Sequence, residues 1–131
     1  MFVDASALCA IMLDELDRAL FERQLVEAAD PVTSPIAIWE TVRAMTREID
    51  IDVLEARRRL AAYLDIVEVG VAAIGKAEGD AAVEAFDRFG KGRHPARLNM
   101  GDCFAYACAK ALGRPLLFKG DDFSQTDIER A

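Results

Sequence analysis

Short apolar runs alternate with amphipathic stretches along the whole chain, and this alternation limits the fold more than any other feature. Four runs rich in apolar residues are predicted strands, at 1–4, 31–33, 66–69 and 115–118, and 127–128 is a candidate fifth strand. The stretches between them place apolar residues three or four positions apart, which is the spacing of a helix. Strands that alternate with helices predict an α/β fold with a short, mostly parallel central sheet flanked by helices.

Start and stop signals divide the helical stretches. Ser34 followed by Pro35 is a strong helix start, and Asn99 and Gly113 mark the two ends of the last helix. The predicted helices are 8–29 in two pieces broken near 13–15, 36–49, 52–65, 73–89 and 99–112. The 131 residues contain no internal repeat or linker, so we expect a single domain over residues 1–131.

The net charge limits the function classes. The chain has 16 Lys and Arg residues against 23 Asp and Glu residues, a formal net charge of −7. An acidic surface repels polyanions, which argues against a general DNA-coating or membrane-surface protein. A nucleic-acid function therefore requires a local basic patch, a metal ion or both.

Cysteine and histidine usage bears on metals and compartment. Cys9, Cys103 and Cys108 form no Cys-x-x-Cys pair, and a single histidine argues against a zinc site. No apolar run reaches the ~18 residues of a membrane-spanning helix, and no signal peptide is visible. We expect a cytoplasmic protein with reduced thiols and no membrane association.

Acidic residues occur where the predicted topology brings segments to one edge of the sheet. Asp4 ends the first strand, Asp121 and Asp122 follow the fourth, Asp102 lies in the first turn of the last helix, and Glu40 lies in the second turn of the helix after strand two. Ligands of parallel sheets bind beyond the carboxyl ends of the strands. Each acid also has a structural explanation, such as a favourable helix dipole, a turn or a local ion pair.

Several carboxylates in one small pocket repel one another, so one of them must take up a proton or a cation must lie between them. An oxygen-only ligand set suits Mg²⁺ or Mn²⁺ rather than zinc. A cation held by acids typically serves the cleavage or transfer of phosphate groups. The acids therefore predict a divalent-cation site for phosphoryl chemistry.

A local basic segment departs from the acidic average. Lys91, Arg93 and Arg97, with Arg88 before them, are uninterrupted by any acid between residues 87 and 102. The segment is either a solvated loop or an arm that binds phosphates beside the metal, and we favour the arm. His94 is expected to make a loop or backbone contact rather than to act in catalysis.

Five blocks of sequence carry a family resemblance. They are 1–6, the Ser34-Pro35 helix start followed by Glu40, 89–99, 101–107 and 116–123. In this order and at these spacings the chain resembles PIN domains over its whole length. More narrowly, it is similar to the VapC toxins of bacterial toxin–antitoxin pairs.

The resemblance implies a Mg²⁺-dependent endoribonuclease, with Mn²⁺ as a substitute, that is inhibited by a cognate antitoxin and commonly forms a homodimer. The metal-binding acids of the family correspond to Asp4 and Asp102, and its helical glutamate corresponds to Glu40. The fourth acid falls on Asp121 or Asp122, and we favour Asp121 because it is the first acid after the strand. Ser6 matches a family hydroxyl that supports a carboxylate or a water.

Three other functions remain open. A phosphatase of the haloacid dehalogenase type needs an Asp-x-Asp pair after the first strand, and here the third position is Ser6. A PIN-like interaction domain without catalysis and a metal-dependent nuclease acting on DNA are the remaining alternatives, and an antitoxin-like neighbouring reading frame would favour the toxin.

The helices over 36–64 carry more apolar residues than one core-facing stripe needs, which predicts a surface for an antitoxin or a second copy.

Overall fold

The computed structural model describes all 131 residues. Four short strands form one sheet in the order β3-β2-β1-β4, and every pair of neighbours is parallel. The strands are β1 (Phe2–Val3), β2 (Val32–Thr33), β3 (Gly70–Val71) and β4 (Leu116–Leu117). The predicted α/β class and parallel sheet are confirmed.

Six helices surround this sheet, and local signals set their ends. They are α1 (Ala5–Met12), α2 (Arg18–Glu27), α3 (Pro35–Glu48), α4 (Val53–Ile66), α5 (Lys76–Phe89) and α6 (Met100–Leu112). The Ser34 side chain accepts a hydrogen bond from the backbone N–H of Ala37 at the start of α3, and Gly113 ends α6 in the left-handed region with φ 61°. None of the helices combines the length and the apolar run that crossing a membrane requires.

The sheet separates two apolar clusters. Phe2 and Leu116 point into the cluster formed with α5 and α6, whereas Val3 and Leu117 point into the cluster formed with the first four helices. Successive side chains of a strand point to opposite faces, so two residues per strand suffice to contact both clusters. All four residues are at most 1% exposed.

The predicted third strand at 66–69 is wrong. Helix α4 continues to Ile66, and the strand is displaced to Gly70–Val71. Glu68 adopts a φ of 55°, and the N–H of Val69 donates to the carbonyl of Leu64, so the β-branched run ends the helix instead of joining the sheet. Gly70 then pairs with the second strand, where an added β-carbon would lie 3.2 Å from Val32 Cγ1.

The candidate fifth strand at 127–128 does not form. The chain makes a single bridge between Leu116 and Arg130 instead. The carboxylate of Asp127 accepts a hydrogen bond of 2.5 Å from the hydroxyl of Tyr106, and Arg88 also donates to it. Hydrogen bonds from side chains of α5 and α6 therefore hold Asp127, at the place where backbone pairing of a fifth strand is expected from the sequence.

Candidate active site

Asp4 occupies the point where the first strand becomes a helix. It is the N-cap of α1, its carboxylate accepts from the backbone N–H and the hydroxyl of Ser6 at 2.9 and 2.5 Å, and it is only 4% exposed. Burial raises the pKa of Asp4, and the charge of Asp122 adds to that effect, while the bonds from Ser6 oppose it. A buried carboxylate at a strand end is costly unless a proton or a cation balances it.

Asp102 is positioned by the first turn of α6. The N–H of Asn99 donates to Asp102 Oδ2 at 2.7 Å, and the N–H of Asp102 donates to Asn99 Oδ1 at 3.0 Å. This reciprocal pair is a capping box, so one local motif both starts the helix and orients the acid. Burial, with the charges of Asp4 and Asp122 and against the hydrogen bond from Asn99, raises the pKa of Asp102 to about 6.

Glu40 approaches the same place from α3. Burial, together with the charges of Asp4 and Asp102, raises the pKa of Glu40 to about 7. Its carboxylate lies against the backbone of α6 at Gly101, where an added β-carbon would be 2.2 Å from Glu40 Oε1. Three acids from three elements therefore act on one another.

Gly101 is a functional position whose contact sequence reasoning missed. It was recognised only as part of a motif next to Asp102. The available signal was a glycine in the first turn of a helix, where no turn requires its conformational freedom. Only a residue without a side chain leaves room there for the carboxylate of Glu40.

The structure distinguishes between the two acids that follow β4. The charge of Asp122 raises the pKa of both Asp4 and Asp102. Gly120, at φ 89°, turns the chain, and the carbonyl of Asp121 accepts a hydrogen bond from the N–H of Ser124. The charge of Asp122 thus acts on Asp4 and Asp102, whereas the sequence analysis favours Asp121.

Ser6 connects the first strand to the segment that carries these two acids. Its hydroxyl donates to Asp4 and accepts a hydrogen bond of 3.0 Å from the backbone N–H of Lys119. The ammonium of Lys119 is paired with Glu15 and, at 2.9 Å, with Asp17. The neighbouring cation is therefore bound to acids of its own, outside the group formed by Asp4, Glu40, Asp102 and Asp122, which we call the acid cluster.

The acid cluster fits a divalent cation through its chemistry. Its donors are all carboxylate oxygens, the kind of ligand that Mg²⁺ and Mn²⁺ prefer. Three of its members have pKa values raised by burial and by one another, and a cation would relieve that repulsion. No three His, Cys, Asp or Glu side chains already meet at a spacing that could hold an ion, so these carboxylates do not form a closed ligand cage.

The basic segment forms an exposed loop between α5 and α6. Lys91, Arg93 and Arg97 line an open concavity that contains no apolar side chain. Arg93 is paired with Asp87 at 2.7 Å. His94 accepts a hydrogen bond from the N–H of Ala96 at 3.1 Å, which confirms the expected backbone contact. The loop ends at Asn99, the residue whose backbone N–H binds the carboxylate of Asp102.

Comparisons with known proteins identify the family of the chain. A family model described as "PIN domain" matches residues 1–129. The protein named Ribonuclease VapC from Mycolicibacterium smegmatis is 40% identical over 98% of this chain and 97% of its own length. Ribonuclease VapC30 from Mycobacterium tuberculosis is 40% identical over 98% of this chain and 95% of its own length. VapC42 from the same organism is 36% identical over 100% of this chain and 98% of its own.

A solved structure shows the same fold. The crystal structure of Mycobacterium tuberculosis VapC20, described as a toxin that cleaves the sarcin-ricin loop, superposes with a TM-score of 0.79. The match covers 99% of this chain and 97% of that chain at 20% sequence identity. At this identity the likeness concerns the path of the chain alone.

Proposed function

The chain belongs to the PIN-domain family, among its VapC ribonucleases, and from this premise we propose that it is the toxin of a type II toxin–antitoxin pair that hydrolyses phosphodiester bonds in RNA at the acid cluster. The observation that carries the proposal is the convergence of Asp4, Glu40 and Asp102 from β1, α3 and α6, each with a raised pKa. Phosphodiester cleavage by a metal-dependent nuclease needs such a group of oxygen ligands.

In this proposal Asp4 and Asp102 hold Mg²⁺ directly, and Mn²⁺ substitutes for it. Glu40 and the acid after β4 act directly or through water, and the charge of Asp122 on the cluster supports Asp122 ahead of Asp121. A bound Mg²⁺ supplies positive charge at the phosphate and lowers the pKa of an attacking water.

The remaining steps belong to the protein. Ser6 and Asn99 hold the carboxylates of Asp4 and Asp102 in place, and a carboxylate of the cluster accepts the proton of the water that attacks phosphorus. Lys91, Arg93 and Arg97 bind the flanking phosphates. They provide the affinity for RNA that the net negative charge of the protein would otherwise weaken. The loop and the cluster thus divide binding and cleavage between them.

The proposal extends to partners and compartment. We propose a cytoplasmic toxin that is inhibited by a cognate antitoxin and forms a homodimer within their complex, and the VapC names of its relatives support the antitoxin partner. The unpaired charge of the acid cluster supports inhibition by a basic antitoxin side chain placed among the carboxylates.

Cleavage of RNA by the purified chain tests the proposal. We expect cleavage in Mg²⁺ or Mn²⁺, none in EDTA, and a fall of orders of magnitude for Asp4→Asn or Asp102→Asn, with the fold retained because carboxylate repulsion is relieved. Asp122→Asn should impair cleavage more than Asp121→Asn. Parent-rate cleavage by Asp4→Asn and Asp102→Asn would refute the assigned site, and cleavage of DNA alone would refute the substrate.

A further inference from the structure

An apolar groove of about 280 Å³ lies between α5 and α6, beside the basic loop. Val83 and Phe86 from α5 and Met100 and Phe104 from α6 form its walls. Val83, Phe86 and Met100 are 69%, 43% and 63% exposed, although all three are apolar. A soluble protein rarely leaves neighbouring large apolar side chains open to water without a binding role.

Gly79 keeps the groove open at the α5 side. It lies inside a helix, where glycine is less favourable than alanine, and a β-carbon added there would meet no atom within 4 Å. Neither backbone conformation nor close packing therefore explains this glycine. It contributes only backbone to the groove wall.

The polar groups of the groove suit a nucleotide. Lys91 is the one charged residue among its lining residues, and no acid lines it. The guanidinium of Arg93 lies 5.2 Å from the ring centre of Phe86. Asn99 also lines the groove, and its backbone N–H binds the carboxylate of Asp102 at 2.7 Å. The groove lining therefore includes one cation and one residue that contacts the acid cluster directly.

We infer that this groove receives a nucleobase of the RNA, stacked against Phe86, Met100 and Phe104, while Lys91 neutralises an adjacent phosphate. The inference rests on the proposed function and adds the place where a base next to the cut is held. Aromatic and apolar walls stack on any base, and a neighbouring cation binds its phosphate.

Filling the groove tests the inference. We would measure binding of a fluorescein-labelled single-stranded RNA of mixed sequence by anisotropy in EDTA, together with a series in which each nucleotide in turn is abasic. Gly79→Leu should weaken binding about tenfold, whereas the matched surface variant Ala62→Leu on α4 should leave it unchanged. Phe86→Ala provides a second variant that removes a wall instead of filling the space.

The abasic series provides the sharper comparison. One abasic position should weaken binding of the parent protein about tenfold and have no further effect on Gly79→Leu, because the same contact has already been lost. Equal affinity of Gly79→Leu and the parent, or additive losses at every position, overturns the inference. A change in oligomeric mass with RNA affinity intact also overturns it, since the groove is then a protein contact. If the parent cleaves RNA in Mg²⁺ but no abasic position changes its affinity, the groove inference fails and the proposed function stands. A parent that neither binds nor cleaves RNA refutes both the groove inference and the proposed function.

Discussion

At the scale of single residues, Gly101 controls where the carboxylate of Glu40 can lie. Any side chain at position 101 would displace the end of a flexible glutamate rather than backbone, because the nearest atom to the added β-carbon is Glu40 Oε1 at 2.2 Å. The displaced carboxylate leaves the acid cluster, while the helix itself can accept the added methyl group.

We therefore expect Gly101→Ala to reduce RNA cleavage at least tenfold and to change the free energy of unfolding by less than about 1 kcal/mol. Cleavage rates and thermal melts of the same preparation test the two parts. Gly79→Ala is the matched control, since its added β-carbon meets nothing and should leave cleavage unchanged. A Gly101→Ala protein that cleaves at the parent rate would show that the position of Glu40 is unimportant.

Glu40 also predicts how stability depends on pH. Its pKa in the folded protein is raised from 4.5 to about 7, mainly by burial, so the folded state binds more protons than the unfolded state between these values. The free energy of unfolding of the metal-free protein must then fall as pH rises from about 4.5 to 7 and level off above 7. Asp102, with its pKa raised to about 6, contributes in the same direction at lower pH.

We expect the protein in EDTA to be less stable at pH 7.5 than at pH 5, with Glu40 contributing on the order of 1 kcal/mol after allowance for the solvent that reaches this half-buried side chain. Urea denaturation at the two pH values measures the difference. Glu40→Gln should reduce the difference, and Glu48→Gln, an exposed residue of the same helix, should leave it unchanged. An identical pH dependence in Glu40→Gln and the parent would contradict the electrostatic picture of the cluster.

At the scale of elements, the loop between α5 and α6 carries three cations, and backbone hydrogen bonds join its two ends. Its last residue before the helix cap, Leu98, is fully buried, and its N–H donates to the carbonyl of Phe89 while Lys91 donates to Leu98. The loop is thus closed at its base by backbone bonds, and its charged side chains extend from that closure.

Replacing Lys91, Arg93 and Arg97 together with Ala should weaken RNA binding and flatten its salt dependence. Each phosphate contact on a single strand contributes about −0.7 to the slope of log K against log salt, so three lost contacts change it by about 2. Binding isotherms over a range of salt concentrations give the slope, and Mn²⁺ titration should remain unchanged because no acid is altered. An unchanged slope with intact RNA binding would reduce the loop to ordinary surface.

At the scale of the whole molecule, the apolar surface predicted over 36–64 is smaller than expected. Met45 is buried, and Ile38, Val42 and Ile49 pack against the cluster formed with the first four helices, so the core includes most of the residues counted as surplus. Trp39 remains 59% exposed on α3, and Val53 and Leu54 on α4 are 60% and 74% exposed.

We expect this remaining surface to bind a second copy or an antitoxin, with Trp39 as an anchor. Trp39→Ser should weaken that association at least tenfold while leaving the melting temperature of the isolated chain within about 2 °C, because the indole is already largely in water. Sedimentation of the chain alone and with its neighbouring gene product measures the effect. A chain that is monomeric and binds neither partner would contradict the prediction.

Signals between neighbouring residues predict most of the helices and strands, whereas contacts between distant parts of the chain cannot be predicted from them. The Ser34 and Asn99 caps, the Gly113 stop and the alternation of strands and helices depend on neighbouring residues, which a sequence displays directly. The third strand was misplaced because the β-branched residues around Val69 fit a strand and a helix end equally well, and only tertiary packing decides between them.

In the acid cluster, too, local signals predict which acids take part, but not the contacts between distant segments. Asp4, Glu40 and Asp102 follow from the ends of predicted elements, but the contact of Glu40 with Gly101 joins two helices distant in sequence and leaves no local pattern. The orientation of Asp122 depends on the positive φ of Gly120, a conformation that glycine permits but does not require.

The two-residue strands have a consequence for how such a chain can change over generations. Phe2 and Val3 serve opposite sides of the core, and Asp4 follows them with no intervening residue. A one-residue insertion or deletion here would exchange the two apolar side chains and move the acid by one position in the same event. Loops between helices can lengthen or shorten freely, whereas the first strand must be inherited at constant length. The apolar side chains of the core and the acid of the site therefore depend on the register of the same strand, and a shift of one requires a shift of the other.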